Sequence, residues 1–189
     1  TNGWWNTIAS HDFDKDGDTD LFRGGRVTPL EFPKPGISYL LANDRAKFTD
    51  VTDSLAPGLK NVGMVTDACW VDVDGDTWYD LVLVGEYMPI TIFKNDKGVL
   101  KQLKSSTLEY THGLWNSIAV IDTDGDGDMD FIAGNLGLNS RYQFTKETPF
   151  SVYCGDFDNN GRWDAIPAYY FGGIEYPVPP LFDLTRQIP

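Results

Sequence analysis

The chain has 189 residues, 28 acidic and 15 basic, giving a formal charge of −13, with 41% hydrophobic and 14% aromatic residues. That length supports one to two domains with a sizeable core, and the apolar fraction excludes a disordered chain. The acidic balance argues against a nucleic-acid binder, which carries a basic patch, and no apolar run reaches the ~18–20 residues of a membrane-spanning helix, so membrane insertion is not expected. The chain opens at Thr1 with no signal segment, so it reads as an excerpt of a longer protein.

In chain order, short β-branched or aromatic runs alternate with acidic loops. Thr7-Ile-Ala-Ser precedes the first loop, Asp12-Phe-Asp-Lys-Asp-Gly-Asp-Thr-Asp20, and Leu21-Phe follows it. Ser38-Tyr-Leu-Leu and Lys47-Phe-Thr-Asp-Val are further strand candidates. Asp67-Ala-Cys-Trp-Val leads into Asp72-Val-Asp-Gly-Asp-Thr-Trp-Tyr-Asp80, then Leu81-Val-Leu-Val and Ile90-Thr-Ile-Phe-Lys. Ser117-Ile-Ala-Val-Ile leads into Asp122-Thr-Asp-Gly-Asp-Gly-Asp-Met-Asp130, then Phe131-Ile-Ala. Ser151-Val-Tyr-Cys leads into Asp156-Phe-Asp-Asn-Asn-Gly-Arg-Trp-Asp164, then Ala165-Ile. The four loops hold 17 of the 28 acidic residues, and the remainder of the chain is close to neutral. The negative charge therefore has a local cause.

A cluster of carboxylates this dense needs bound cations, protonation or an open solvated loop. Spacing decides between these. Oxygen-bearing side chains stand at positions 1, 3, 5 and 9 of every loop: Asp12, Asp14, Asp16 and Asp20; Asp72, Asp74, Asp76 and Asp80; Asp122, Asp124, Asp126 and Asp130; Asp156, Asp158, Asn160 and Asp164. Asp18 and Asp128 add a carboxylate at position 7. An oxygen at every second residue wraps a chain around a hard cation, and the multidentate cage suits Ca²⁺ better than Mg²⁺, which keeps its waters. A solvated acidic turn explains any single loop but not four. Three to four Ca²⁺ would bring the formal charge to about −7 to −5. Gly17, Gly127 and Gly161 occupy position 6, where a sharp turn is needed. Asn160 is a neutral ligand, and the second loop, with Thr77 at position 6 and its glycine at Gly75, fits least well.

These are not EF-hands. Position 12 holds Arg23, Leu83, Ala133 and Pro167 instead of a bidentate glutamate, and the flanks read as strands. First aspartates are spaced by 60, 50 and 34 residues, and Gly3-Trp-Trp-Asn-Thr-Ile-Ala9 matches Gly113-Leu-Trp-Asn-Ser-Ile-Ala119 at an offset of 110. Repeats of this length built from short strands indicate propeller blades. The runs before the loops are apolar at both parities, as in Trp70 and Ala68 against Val71 and Cys69, which predicts strands buried on both faces. The fold class expected is all-β, a partial β-propeller of about three to four blades over residues 1–170, with residues 171–189 a Pro-rich cap or linker.

The Asp-x-Asp-x-Asp-Gly-x-x-Asp loops, the hydrophobic pairs after them and the glycines that follow (Gly85, Gly134, Gly24 or Gly25) resemble the FG-GAP/VCBS repeat family, which includes the integrin α-chain propellers. Asn135-Leu-Gly-Leu-Asn139 and Tyr176-Pro-Val-Pro179 look like bacterial members of the cartilage-acidic-protein type. The resemblance implies calcium in the loops, a secreted, cell-surface or periplasmic location, and adhesion to a protein or glycan ligand. The 34-residue spacing is too short for a full four-stranded blade, and such propellers typically have seven blades.

Among other residues, Cys69 and Cys154 read as two buried thiols, and His11 and His112 as structural. Trp78, Tyr79, Met129 and Trp163 are expected to pack over neighbouring blades, and Trp5 and Trp115 to sit in the core. No phosphate loop, serine elbow or Cys/His metal cluster is present. The reading is a calcium-bearing binding module, with the propeller portion of a calcium-dependent polysaccharide-degrading enzyme as the alternative; no residue is assigned a catalytic role.

Overall fold

The computed structural model describes residues 4–142 and 145–187. Gly3 lies outside the described residues, as does the side chain of Trp5. The chain is built of antiparallel meanders. β1 (Trp4–His11), β2 (Asp20–Val27), β3 (Tyr39–Asp44) and β4 (Lys47–Asp50) form a four-stranded sheet in that order. A short helix α1 (Thr52–Leu55) leads to β5 (Met64–Val71), β6 (Asp80–Met88), β7 (Thr91–Asp96) and β8 (Val99–Gln102), which repeat the same arrangement. Next comes a hairpin of β9 (Gly113–Ile121) and β10 (Asp130–Asn135), whose β9 joins the second sheet through Glu86–Leu114 and Met88–Gly113 pairs. β11 (Ser151–Gly155), β12 (Asp164–Phe171) and β13 (Ile174–Pro177) make a third sheet, followed by α2 (Leu181–Gln187). The predicted strands are all found, and the all-β architecture with them. The short third interval leaves room for only the two strands β9 and β10.

The first two units lie against each other and share one core. Leu81, Leu83 and Phe93 of the second sheet meet Phe13, Phe22 and Leu40 of the first, all at most 1% exposed. The alternate residues, Val71, Val82 and Ile92, face the other way, against Ile118, Val120 and Phe131 of β9 and β10. This parity split is the geometry of a sheet sandwiched between two others. Each such side chain contributes about 1.5–3 kcal/mol on burial.

Burial on both faces, expected for every strand preceding a loop, holds for β5 only. Ile8 of β1 is 65% exposed, Ile121 of β9 46% and Tyr153 of β11 51%. Among the described residues no second sheet covers the outer faces of these strands, so their apolar parity is not matched by burial. Cys154 likewise is exposed and not buried, while Cys69 is half-buried with its thiol pushed up to about 12 by burial and by Asp67. Both thiols are free.

The inner strands are tied at equivalent positions. Thr7 Oγ1 donates to Asp67 Oδ1 at 3.0 Å, and Asp67 Oδ2 accepts the Ile118 N–H at 3.0 Å, so one carboxylate links β1, β5 and β9. Arg26 and Glu86 add a bidentate pair between the first two units at 2.7 and 3.0 Å. Gly85 is needed for close approach: a Cβ there would lie 2.2 Å from the Met64 carbonyl oxygen.

Candidate metal centres

Each acidic loop leaves one strand and ends at position 9, the first residue of the next: Asp20, Asp80, Asp130 and Asp164 open β2, β6, β10 and β12. The four loops share one hydrogen-bond pattern. The position 6 N–H donates to the position 1 carboxylate: Gly17 to Asp12, Thr77 to Asp72, Gly127 to Asp122 and Gly161 to Asp156, at 2.7–3.2 Å. The position 2 N–H donates to position 9: Phe13 to Asp20, Val73 to Asp80, Thr123 to Asp130 and Phe157 to Asp164, at 3.0–3.1 Å. The position 7 N–H donates to position 5, at Asp16, Asp76, Asp126 and Asn160, at 2.8–2.9 Å. Asn160 therefore stands where the aspartates stand in the other loops.

Two positions in each loop are left-handed. At position 6 the φ angles are 98° for Gly17, 73° for Thr77, 96° for Gly127 and 82° for Gly161. At position 4 they are 60° for Lys15, 73° for Gly75, 79° for Gly125 and 59° for Asn159. The displaced glycine of the second loop is thus not a departure from the pattern. Gly75 serves one left-handed position, and Thr77 is forced into the other.

In every loop the carboxylates at positions 1, 3 and 9 converge. Asp12, Asp14 and Asp20; Asp72, Asp74 and Asp80; Asp122, Asp124 and Asp130; and Asp156, Asp158 and Asp164 each place one oxygen within 4.8 Å of the others. Oxygens bound to one Ca²⁺ can be no further apart than about 5 Å, twice the ~2.3–2.6 Å bond. An all-oxygen set with no nitrogen or sulfur suits a hard cation. The residues at positions 5 and 7 do not join these triads; Asp18 accepts the Arg45 N–H at 2.9 Å instead.

The electrostatics differ from loop to loop. Asp20 and Asp80 are fully buried, and burial pushes both carboxyls above the usual range even though backbone N–H groups donate to them. Burial, with Asp16 nearby, raises Asp14 as well. Asp130 is exposed and is held below the usual range by the Thr123 hydroxyl and N–H. In the second loop the Lys94 ammonium pairs with Asp74 and supplies one internal positive charge.

Sequence reasoning missed two supporting residues, Asn43 and Asn95. The Asn43 N–H donates to Asp20 Oδ1 at 2.8 Å and the Asn95 N–H to Asp80 Oδ1 at 2.7 Å. Their side-chain amides donate to the carbonyls at position 8, Thr19 and Tyr79, and Asn95 reaches Phe13 of the first loop as well. The signal was present as a repeated Asn-Asp pair, Asn43-Asp44 and Asn95-Asp96, at the β3–β4 and β7–β8 turns.

The aromatic residues divide. Tyr79 lies tilted against His11 with ring centroids 4.3 Å apart, and Lys15 lies 4.4 Å over Trp78, so the second loop packs on the first as expected. His11 also stacks on Trp70, in keeping with a structural role. Met129 and Trp163 are more exposed, at 46% and 45%, and Trp163 lines a cavity together with Leu30 and Phe32 of the first unit. Trp115 is half-buried, its indole donating to the Thr111 carbonyl at 2.8 Å.

Residues 72–133, spanning the second and third loops, match the profile of the FG-GAP-like repeat. That segment is similar to an FG-GAP-like repeat. No curated protein matches the chain significantly. No described helix is long and apolar enough to cross a membrane.

Proposed function

We propose that this chain is part of a calcium-stabilised β-propeller-type module that binds a protein or glycan outside the cell. The observation that carries the reading is the fourfold recurrence of one loop geometry, with carboxylates at positions 1, 3 and 9 gathered within 4.8 Å. The FG-GAP repeat and the stacking of successive meanders support the propeller part of it. Three to four Ca²⁺ would be held by these triads, with Asp16, Asp76, Asp126, Asn160, Asp18 and Asp128 as additional oxygen donors. The ion supplies positive charge that offsets carboxylate repulsion. The chain's own residues preform the loops through backbone donors and fix the position 9 carboxylate at the start of a buried strand.

The test is thermal unfolding with and without thorough chelation. A site filled at a hundredfold excess over its Kd adds ~2.7 kcal/mol, or about 5–10 °C per site for a chain of this size. Chelation should lower Tm by at least that amount, and re-added Ca²⁺ should restore it. Asp124→Ala, which removes a member of a triad, should diminish the calcium-dependent part of Tm more than Asp76→Ala, which does not. An unchanged Tm after chelation would refute the reading.

A further inference from the structure

A cavity of about 480 Å³, within the ~300–1,000 Å³ of small-molecule sites, opens between the second sheet and the segments before β9 and β11. Its walls include three aromatic rings from three separate parts of the chain: Tyr87 of β6, Tyr110 ahead of β9, and Phe150 ahead of β11. Lys146 and His112 complete its polar side.

Tyr87 is placed there at a cost. It is the extra residue of a bulge where β6 pairs with β9, since Glu86 faces Leu114 and Met88 faces the adjacent Gly113. Its φ is 58°, a left-handed conformation that favours glycine. Bulges re-aim side chains beside functional sites, and strained non-glycine residues gather there. The ring is fixed between Phe32, edge-on at 6.3 Å, and Phe150, stacked at 6.4 Å. Burial raises the Tyr87 hydroxyl above its ordinary range.

Charge narrows the class of ligand. On a chain of net charge −13, the cavity lining among the described residues contains no acid and holds one lysine and one of the two histidines. Glu86, beside Tyr87, pairs with Arg26, and Glu147, beside Lys146, accepts the hydroxyl of Thr145 at the cavity wall. The Lys146 ammonium lies 4.1 Å from the Tyr110 ring centroid, held at the aromatic wall. Flat aromatic faces stack on the C–H face of a pyranose, hydroxyl and imidazole groups bond its hydroxyls, and an ammonium pairs with a carboxylate. We infer that this cavity binds a uronic acid residue of an acidic glycan, with Tyr87, Tyr110 and Phe150 as the stacking wall and Lys146 as the carboxylate partner. The inference rests on the proposed glycan-binding reading and names its ligand class and site.

The experiment is calorimetric titration of the calcium-loaded chain with a trisaccharide of galacturonic acid and, separately, with neutral galactotriose. The wild type should bind the uronate saturably and the neutral sugar more weakly. Lys146→Met and Tyr110→Ala should each weaken uronate binding by about tenfold or more, while Lys47→Met, at an exposed lysine of β4 that does not line the cavity, should leave uronate binding unchanged. Absence of uronate binding by the wild type overturns the inference. So does binding that survives both cavity substitutions, or equal binding of the neutral sugar unaffected by Lys146→Met. Melting curves of the same samples separate the two readings. A calcium-dependent Tm without uronate binding sinks the cavity assignment alone, and a calcium-independent Tm with cavity-dependent uronate binding sinks the calcium reading alone.

Discussion

At position 6 of the acidic loops three glycines and one threonine share a backbone conformation that L side chains rarely adopt. For Thr77 the left-handed region costs about 1–2 kcal/mol, which a glycine would avoid at an unfolded-state entropy cost of about 0.5–1 kcal/mol. What Thr77 returns is slight: its hydroxyl accepts an exposed hydrogen bond from Lys15 at 3.1 Å. Thr77→Gly should therefore stabilise the chain by about 0.5–1 kcal/mol, read as a rise in Tm of a few degrees at most. Gly127→Ala, the converse change in the third loop, should lower Tm by a comparable amount. A lower Tm for Thr77→Gly would show that the threonine hydroxyl outweighs the strain.

At the scale of the strand and turn, the fully buried position 9 carboxylates Asp20 and Asp80 each accept from the far hairpin of their own sheet. Asn95 is 1% exposed and donates to the carbonyls of Phe13 and Tyr79 at 2.8 and 3.1 Å, and its own oxygen accepts the Gly98 N–H at 2.8 Å. Asn95→Ala orphans all three groups, and a buried unsatisfied polar group costs about 1–3 kcal/mol. Asn43→Ala removes only one such bond, to Thr19, at a more exposed site. Chemical denaturation should show Asn95→Ala losing more than 2 kcal/mol and Asn43→Ala distinctly less; equal losses would mean that Asn95 is not the tie between the first two loops. These asparagines mark the limit of what could be read beforehand. The loops and strands were legible because an aspartate at every second residue and a β-branched run each carry their own period. A lone asparagine in a tight turn is ordinary turn chemistry, and only its recurrence before Asp44 and Asp96 distinguishes it. The left-handed position 4 was equally hidden, because only two of its four residues are glycine, Gly75 and Gly125, and the others are Lys15 and Asn159. Burial was read correctly where a strand has neighbours on both sides, as Trp70 and Val71 do. It was misread at Ile8, Ile121 and Cys154, because alternation reports how apolar a face is, and a covering sheet is a separate fact.

Across the whole molecule, stability is distributed from the middle outward. Leu81, Val82, Leu83, Val84 and Phe93 are fully buried between the first sheet and the β9–β10 hairpin. The third sheet instead exposes Tyr153 at 51% and Ile174 at 59%. Buried apolar contact sets the free energy of local opening, so the chain should open in an order that this layout fixes. Amide hydrogen exchange on the calcium-loaded chain should be slowest in β5, β6 and β7, faster in β1 and β9, and fastest in β11, β12 and β13. Chelation should widen the gap, because the fourth loop depends on its ion for rigidity while the second also has Lys94 beside Asp74 and a buried sheet beneath it. Protection in β12 equal to that in β6 would contradict this ordering. It would mean that the third sheet gains its stability from contacts other than the apolar burial described for the first two.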